Sequence, residues 1–77
     1  MNKERRKRLS KLLEGMAAAE EELSAIIEEE QAAFDNMPES IQGGEQGAAM
    51  EEGISTLEDC LDSNQDIQAQ MEEVAEG

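Results

Sequence analysis

The side chains that carry out most protein chemistry are scarce in this chain. Its 77 residues include no His, Tyr or Trp and a single cysteine, Cys60, so no nucleophile has an imidazole nearby to activate it. Carboxylates are plentiful, but two carboxylates divide into acid and base only where an apolar pocket separates their pKa values. Asp59, Asp62 and Asp66 lie on adjacent turns of a predicted helix, without the spacing of a calcium-binding loop. We therefore expect no enzyme activity, no cofactor and no metal site.

The charged residues are segregated along the chain. The net charge is −14, and Glu4 is the only acid among the first eleven residues. These eleven residues hold all the basic side chains: Lys3, Arg5, Arg6, Lys7, Arg8 and Lys11. An acidic body of this kind repels nucleic acid and anionic membranes, so we expect no broad nucleic-acid binding and no membrane binding. The expected partners are a basic protein surface, or a phosphate-bearing ligand held by the basic residues.

Two long segments with helical periodicity make up almost the whole chain, and they predict helices over 3–35 and 45–75. In each segment the apolar residues form three rows with a seven-residue period, which is typical of a bundle helix rather than of a two-stranded coiled coil. The rows of the first segment are Leu9, Met16 and Leu23; Leu12, Ala19, Ile26 and Ala33; and Leu13, Ile27 and Phe34. The rows of the second are Met50, Leu57 and Met71; Cys60, Ile67 and Val74; and Ile54 and Leu61. We therefore predict an all-α fold built as an antiparallel helical hairpin.

Residues 36–44 are the predicted turn of this hairpin. Pro38 is tolerated only in the first turn of a helix and disfavours helical geometry at the residue before it, so the first helix should end near residue 36. Asn36 and Glu39 have the spacing of a capping box, which predicts one short helical turn that ends at residue 42. The following Gly-Gly pair ends this turn and allows positive φ angles before the second helix. Gly47, close behind, is expected to permit a close approach of helices.

A hairpin of two helices cannot bury three apolar rows on each helix. Seventy-seven residues are also near the size at which one core barely offsets chain entropy. We therefore expect several copies to assemble into a homo-oligomeric helical bundle, most simply a two-fold four-helix bundle. Asn64 and Glu30 interrupt the apolar rows, and two interpretations stay open: they set the register of the helices, or they mark where the rows reach solvent.

The turn and the residues around it resemble a known group of proteins. Residues 28–42, EEEQAAFDNMPESIQ, followed by a glycine-rich segment and the helix start AMEE, resemble a set of short acidic phage and prophage proteins. These share an acidic helix, an aromatic-Asp-Asn-Met/Leu-Pro-Glu turn and a second acidic helix. The resemblance implies a phage setting, and hence the cytoplasm of an infected bacterial host, but it implies no activity. Relatives are expected to carry an Arg shortly after the turn, where this chain has Gly44, Glu45 and Gln46, and that departure weakens an anion-binding role for the turn.

Small non-enzymatic phage proteins often counter host immunity, and two such mechanisms fit the charge distribution. One is an oligomeric sponge that sequesters a nucleotide immune signal. Its ligand-binding residues would be Arg5, Arg6 and Arg8 on phosphate, Phe34 as a stacking face and Asn36 as an edge contact. The other is an acidic mimic of nucleic acid that occupies the basic channel of a Cas or restriction protein. The sponge is slightly favoured, because it needs the segregated arginines and the mimic leaves them unexplained.

Each of these residues also has a plain structural interpretation. The basic residues would lie beside the acidic end of the second helix in a hairpin, and each charge cluster would then offset the other. Phe34 would pack over the turn against Ile41 or Met50. Cys60 would be a small buried hydrophobic residue. The whole chain would then be a bundle that serves only assembly, as a scaffold.

Overall fold

The chain forms a hairpin of two long helices joined by a short one. The computed structural model describes all 77 residues and contains no strand, which confirms the all-α class. Helix α1 spans Lys3–Asp35, α2 spans Glu39–Gln42 and α3 spans Glu45–Glu76. Helix α1 has the bounds expected from the sequence, and α3 ends one residue later than expected. The molecule is a rod of 58 × 15 × 12 Å, in which α1 and α3 run antiparallel side by side.

The ends of α1 follow from local chemistry. At the start, the Oδ1 atom of Asn2 accepts a hydrogen bond from the Arg5 N–H at 2.8 Å, which satisfies one of the free donors of the first turn. At the end, Asn36 keeps a helical conformation and its N–H donates to the Ala32 carbonyl at 3.1 Å. The helix stops there because Pro38 disfavours a further helical residue.

One detail of the predicted turn is wrong, and one conformation that its glycines allow is not used. The residue that caps α2 is Pro38 and not Asn36, and no side chain supplies a capping hydrogen bond. Asn36 is held in the last turn of α1 instead, while Pro38 has the extended ψ that a capping position requires. The Gly-Gly pair has no positive φ, because Gly43 is helical and Gly44 is extended. Both are conformations that other residues adopt as well.

Two of the three apolar rows on each helix form the seam of the hairpin. On α1 the partly buried residues that recur every three or four positions are Arg6, Leu9, Leu13, Met16, Glu20, Leu23, Ile27 and Phe34. On α3 the corresponding residues are Gly47, Met50, Ile54, Leu57, Leu61, Asn64, Gln68, Met71 and Ala75. Ile54, with 4% of its surface exposed, is the only large apolar residue that is buried, and no side chain is fully buried. The seam is therefore narrow, and the hairpin has almost no closed core.

The two residues that interrupt the apolar rows differ in environment. Asn64 lies in the seam, where its Nδ2 atom is 3.4 Å from the Met16 carbonyl oxygen. This contact sets Asn64 level with Met16 along the rod. Glu30 is exposed, so for Glu30 the interpretation that the row reaches solvent is the correct one.

Gly47 allows the turn to pack on α3. A Cβ atom at this position would lie 1.9 Å from the Gln42 carbonyl oxygen, which belongs to the backbone. A Cβ atom at Gly15 would meet nothing within 4 Å, and one at Gly44 would make an ordinary contact at 3.5 Å. The close approach that we expected at Gly47 is therefore real, but the neighbour is the turn rather than the other long helix.

We predict opposite effects of alanine at two helical glycines. Gly47→Ala should lower the free energy of unfolding by about 2 kcal/mol, because the Gln42 backbone must move to admit the methyl group. Gly15→Ala, the matched control, should raise it by about 1 kcal/mol, because alanine is the better helix former. Urea denaturation followed by circular dichroism at one fixed protein concentration measures both. Equal effects of the same sign would contradict the packing of the turn on α3.

Candidate binding surfaces

The five residues expected to bind a ligand lie at the two ends of the rod. We call residues 1–11 together with residues 72–77 the foot, and residues 34–44 the tip. Arg5, Arg6 and Arg8 belong to the foot, and Phe34 and Asn36 belong to the tip. Arg5 and Phe34 are 29 positions apart on one helix, which is about 44 Å at 1.5 Å per residue. One copy of the chain therefore does not bring the five together.

At the foot, two of the three arginines share one surface. Arg5 and Arg8 are exposed and line a shallow, open depression together with Met1, Leu9 and Leu12. The depression continues along α1 past Lys11 and Gly15 to Ala19. Two guanidinium groups over an apolar floor are suited to an anionic group attached to a flat, apolar body.

Arg6 points away from that depression. It is partly buried in the seam, and its Nε atom is buried without a hydrogen-bond partner. Two other buried side-chain atoms also lack a hydrogen-bond partner, Glu20 Oε1 on α1 and Gln68 Nε2 on α3. Since Arg6 lies on the seam side of α1, the structure does not bring all three arginines to one ligand.

At the tip, the aromatic ring is only partly available. Phe34 is partly buried, whereas Asn36 is exposed. The Phe34 carbonyl accepts hydrogen bonds from the Met37 N–H at 3.1 Å and from Gln42 Nε2 at 2.7 Å. The Gln42 bond ties α2 to the end of α1, and the sequence pattern gave no sign of it.

The remaining apolar row of each helix, the one outside the seam, is uncovered. Leu12, Ile26, Ile67 and Val74 each expose between 45% and 55% of their surface, and Cys60 is exposed rather than buried. The prediction that Cys60 is a buried residue is therefore wrong for the single chain. We call these two rows the open face: Leu12, Ala19, Ile26 and Ala33 of α1 with Gly53, Cys60, Ile67 and Val74 of α3.

Both rows of the open face lie on the same side of the rod. In each helix the seam uses two equivalent rows, and the open row follows the Leu9 or Met50 row by three residues. Two antiparallel helices are related by a local two-fold axis perpendicular to the plane that contains both helix axes. Rotation about this axis exchanges the helices and keeps each surface on the same side of that plane. The open rows therefore adjoin each other and form one apolar strip.

Carboxylates cover the outside of the rod. All 20 acidic side chains are exposed except Glu20, which is partly buried. Several form straight rows with a seven-residue period, or about 10.5 Å along the helix. The rows are Glu14, Glu21, Glu28 and Asp35 on α1, and Glu45, Glu52, Asp59, Asp66 and Glu73 on α3. The seven-residue spacing was visible in the sequence, but which rows face outward depends on which rows form the seam.

No other feature of the structure adds a site. Asp59, Asp62 and Asp66 are not part of any group of side chains that could hold a metal ion. Neither long helix contains an apolar stretch sufficient to cross a lipid bilayer. Comparisons with protein-family models, with curated proteins and with solved structures found no match. The structure is an acidic helical hairpin with a basic foot and one open apolar face.

The bond from Gln42 to the Phe34 carbonyl gives a test of the tip. Gln42→Ala should lower the free energy of unfolding by about 1 kcal/mol, because the partly buried carbonyl loses a partner. Gln65→Ala, on an exposed position of α3, is the matched control and should change it by less than about 0.5 kcal/mol. Thermal unfolding followed by circular dichroism distinguishes the two. Equal stabilities would mean that the tip does not depend on this bond.

Proposed function

We propose that this chain is a non-enzymatic protein that self-assembles and acts by binding, as an acidic mimic of nucleic acid. Its target is the basic, nucleic-acid-binding channel of another protein. In the phage setting implied by the resemblance, the target is a Cas or restriction protein in the cytoplasm of the infected host. The resemblance itself remains a prediction.

The observation that carries this proposal is the linear density of charge. Each copy carries −14 over a rod 58 Å long. Two copies side by side over the same length present about one negative charge per 2 Å, close to the value of one per ~1.7 Å for duplex DNA. A single copy presents only half that density, so the mimicry depends on assembly.

The placement of the carboxylates supports the same conclusion. They stand in exposed rows along both long helices, and residues 12–77 contain no basic side chain to neutralise them. The partner of such a surface is a channel lined with Lys and Arg, where complementary potentials accelerate association and select the partner. A simple scaffold would not require so high a charge, which opposes the packing of copies against one another.

The nucleotide sponge is the second candidate, and the depression at the foot favours it. Arg5 and Arg8 flank an apolar floor that would accept a base or ribose beside a phosphate. Phe34 and Asn36 of another copy complete the set only where the tip of that copy meets this foot. Arg6 is left out of this version of the site, because it lies in the seam.

The mimic is tested by competition with DNA. A fluorescent duplex bound to Cas nucleases and restriction endonucleases should be displaced by the protein, and the displacement should weaken at least about tenfold between ~50 and ~200 mM salt. The triple variant Glu52→Gln, Asp59→Asn, Asp66→Asn removes three charges of one outer row and should compete clearly less well. The matched control, Ser55→Gln with Ala69→Gln, changes exposed neutral side chains of the same helix and should compete like the original. Failure to displace DNA at low salt would refute the mimic.

The sponge is tested by ligand-induced stabilisation. A ligand present at about a hundred times its dissociation constant stabilises the folded state by about 2.7 kcal/mol, so cyclic nucleotides or ADP-ribose derivatives should raise the melting temperature by several degrees. Arg5→Glu with Arg8→Glu should abolish the shift, whereas Lys7→Glu, a charge reversal elsewhere on the foot, should leave most of it. A chain that displaces DNA but shows no shift with any nucleotide is a mimic and not a sponge.

A further inference from the structure

We propose that the open face is the dimer interface, and that it packs against the open face of a second copy with the foot of one hairpin beside the tip of the other. This inference rests on the self-assembly in the proposed function, but not on the identity of the target. It adds the face, the orientation and the position of the two-fold axis.

The apolar strip is divided into tiers. Because Met16 and Asn64 are level with each other, residues of α1 and α3 whose numbers add to about 80 lie at the same height along the rod. Leu12 is therefore level with Ile67, Ala19 with Cys60, and Ile26 with Gly53. The tiers are seven residues apart, about 10.5 Å, and the Ala19–Cys60 tier is the middle one. This middle tier is also close to the midpoint of the rod.

On α3, a two-fold axis through the middle tier matches a large side chain with glycine, whereas on α1 it places Leu12 over Ile26 of the other copy. The copies can stack with their feet together or with foot beside tip. In the second arrangement α3 faces α3 of the other copy, so Ile67 of each copy lies over Gly53 of the other. A Cβ atom at Gly53 meets nothing within 4 Å in the single chain, which leaves room for a partner's side chain. Ala19 and Cys60 each meet their own counterpart on the axis.

Charge selects the foot-to-tip arrangement. The row of α1 that borders the open face has Arg8 near the foot and Glu22 and Glu29 toward the tip. With foot beside tip, Arg8 of each copy lies opposite Glu29 of the other, which gives two equivalent ion pairs. With the feet together, α1 faces α3 of the other copy, so Arg8 lies opposite the neutral Gln70 and the pairs with Glu29 do not form.

Charge also selects the open face over the opposite side of the rod. The row of α3 that borders the open face contains Ala49, Thr56, Ser63 and Gln70, all of them neutral. On the opposite side, the row next to the seam contains Glu51, Glu58 and Glu72. In a protein with a net charge of −14, two copies can approach closely only where the carboxylates are absent. The two rows of the open face contain no carboxylate, although Glu22 and Glu29 border them on α1, and pairing there leaves the outer acidic rows exposed on the dimer.

Cys60 tests the axis directly, because it is the only cysteine of the chain. Two cysteines form a disulfide only when their Cα atoms are within about 7 Å, so oxidation with diamide should link the unmodified protein into a covalent dimer. Ala19→Cys in a Cys60→Ser background should also link to itself. Ser55→Cys with Cys60→Ser, which places the thiol at an exposed position outside the open face, is the control for random collision and should stay monomeric on a non-reducing gel.

The opposite orientation gives a different crosslink. With the feet together, Cys60 of one copy lies opposite residue 19 of the other. A mixture of the unmodified protein with the Ala19→Cys, Cys60→Ser variant would then form the mixed dimer in preference to either self-linked dimer. That result would overturn the foot-to-tip orientation, while the open face would remain the interface.

The ion pair is tested by exchange of charges. Arg8→Glu should raise the dimer dissociation constant by about tenfold, because two weak attractions become repulsions, and Glu29→Arg should do the same. The double variant should return close to the original value, as measured by sedimentation equilibrium. Loss of affinity without this rescue overturns the orientation. A chain that sediments as a folded monomer at micromolar concentration overturns the interface and the assembly together. A dimer that fails to displace DNA overturns the mimic and leaves the interface standing.

Discussion

The structure depends on one mismatch, in which each long helix has three apolar rows and the hairpin has room for two. The rows that meet in the seam bury a single large apolar side chain, Ile54, which keeps 4% of its surface exposed. The third rows, which include Leu12 and Ile67, stay about half exposed. A rod only two helices thick has no interior in which to place them. The lone hairpin therefore leaves one apolar row of each helix uncovered, and in the proposed assembly a second copy packs on these rows.

The same mismatch organises the charges. If every face of the rod were acidic, copies would repel one another and the third rows could not be covered. The carboxylates are absent from the strip around Cys60 and from the neutral row beside it, and they are dense on the outer rows. The polyanionic surface and the proposed dimer interface are thus separated around the circumference of the rod. This separation lets a small chain combine a high outward charge with a face on which it can associate.

Much of this fold could be predicted from the sequence because its local signals agree. The seven-residue period, Pro38 and the absence of other helix breakers in the long segments specify two helices and the turn between them. The period does not say which two of three equivalent rows meet, since each pair of neighbouring rows is an equally good seam. For that reason the partly buried position of Arg6 and the exposure of Cys60 became clear only in the structure. The close contact of Gly47 with the Gln42 backbone was likewise invisible, because it joins two segments whose relative placement depends on the turn.

The basic foot is the feature that a pure charge mimic leaves unexplained, and the geometry of the open face gives it a reason. A two-fold assembly of identical acidic rods must choose between two directions, and the apolar tiers do not choose strongly, because Gly53 meets a large side chain of the other copy in both. Cations confined to one end do choose, because only the foot-to-tip direction places Arg8 opposite Glu29, a carboxylate of the row that borders the open face. Arg8 then specifies orientation rather than affinity, in the way that polar residues in helical bundles specify register. Under this interpretation the segregated arginines orient the assembly, and the outward carboxylates bind the target.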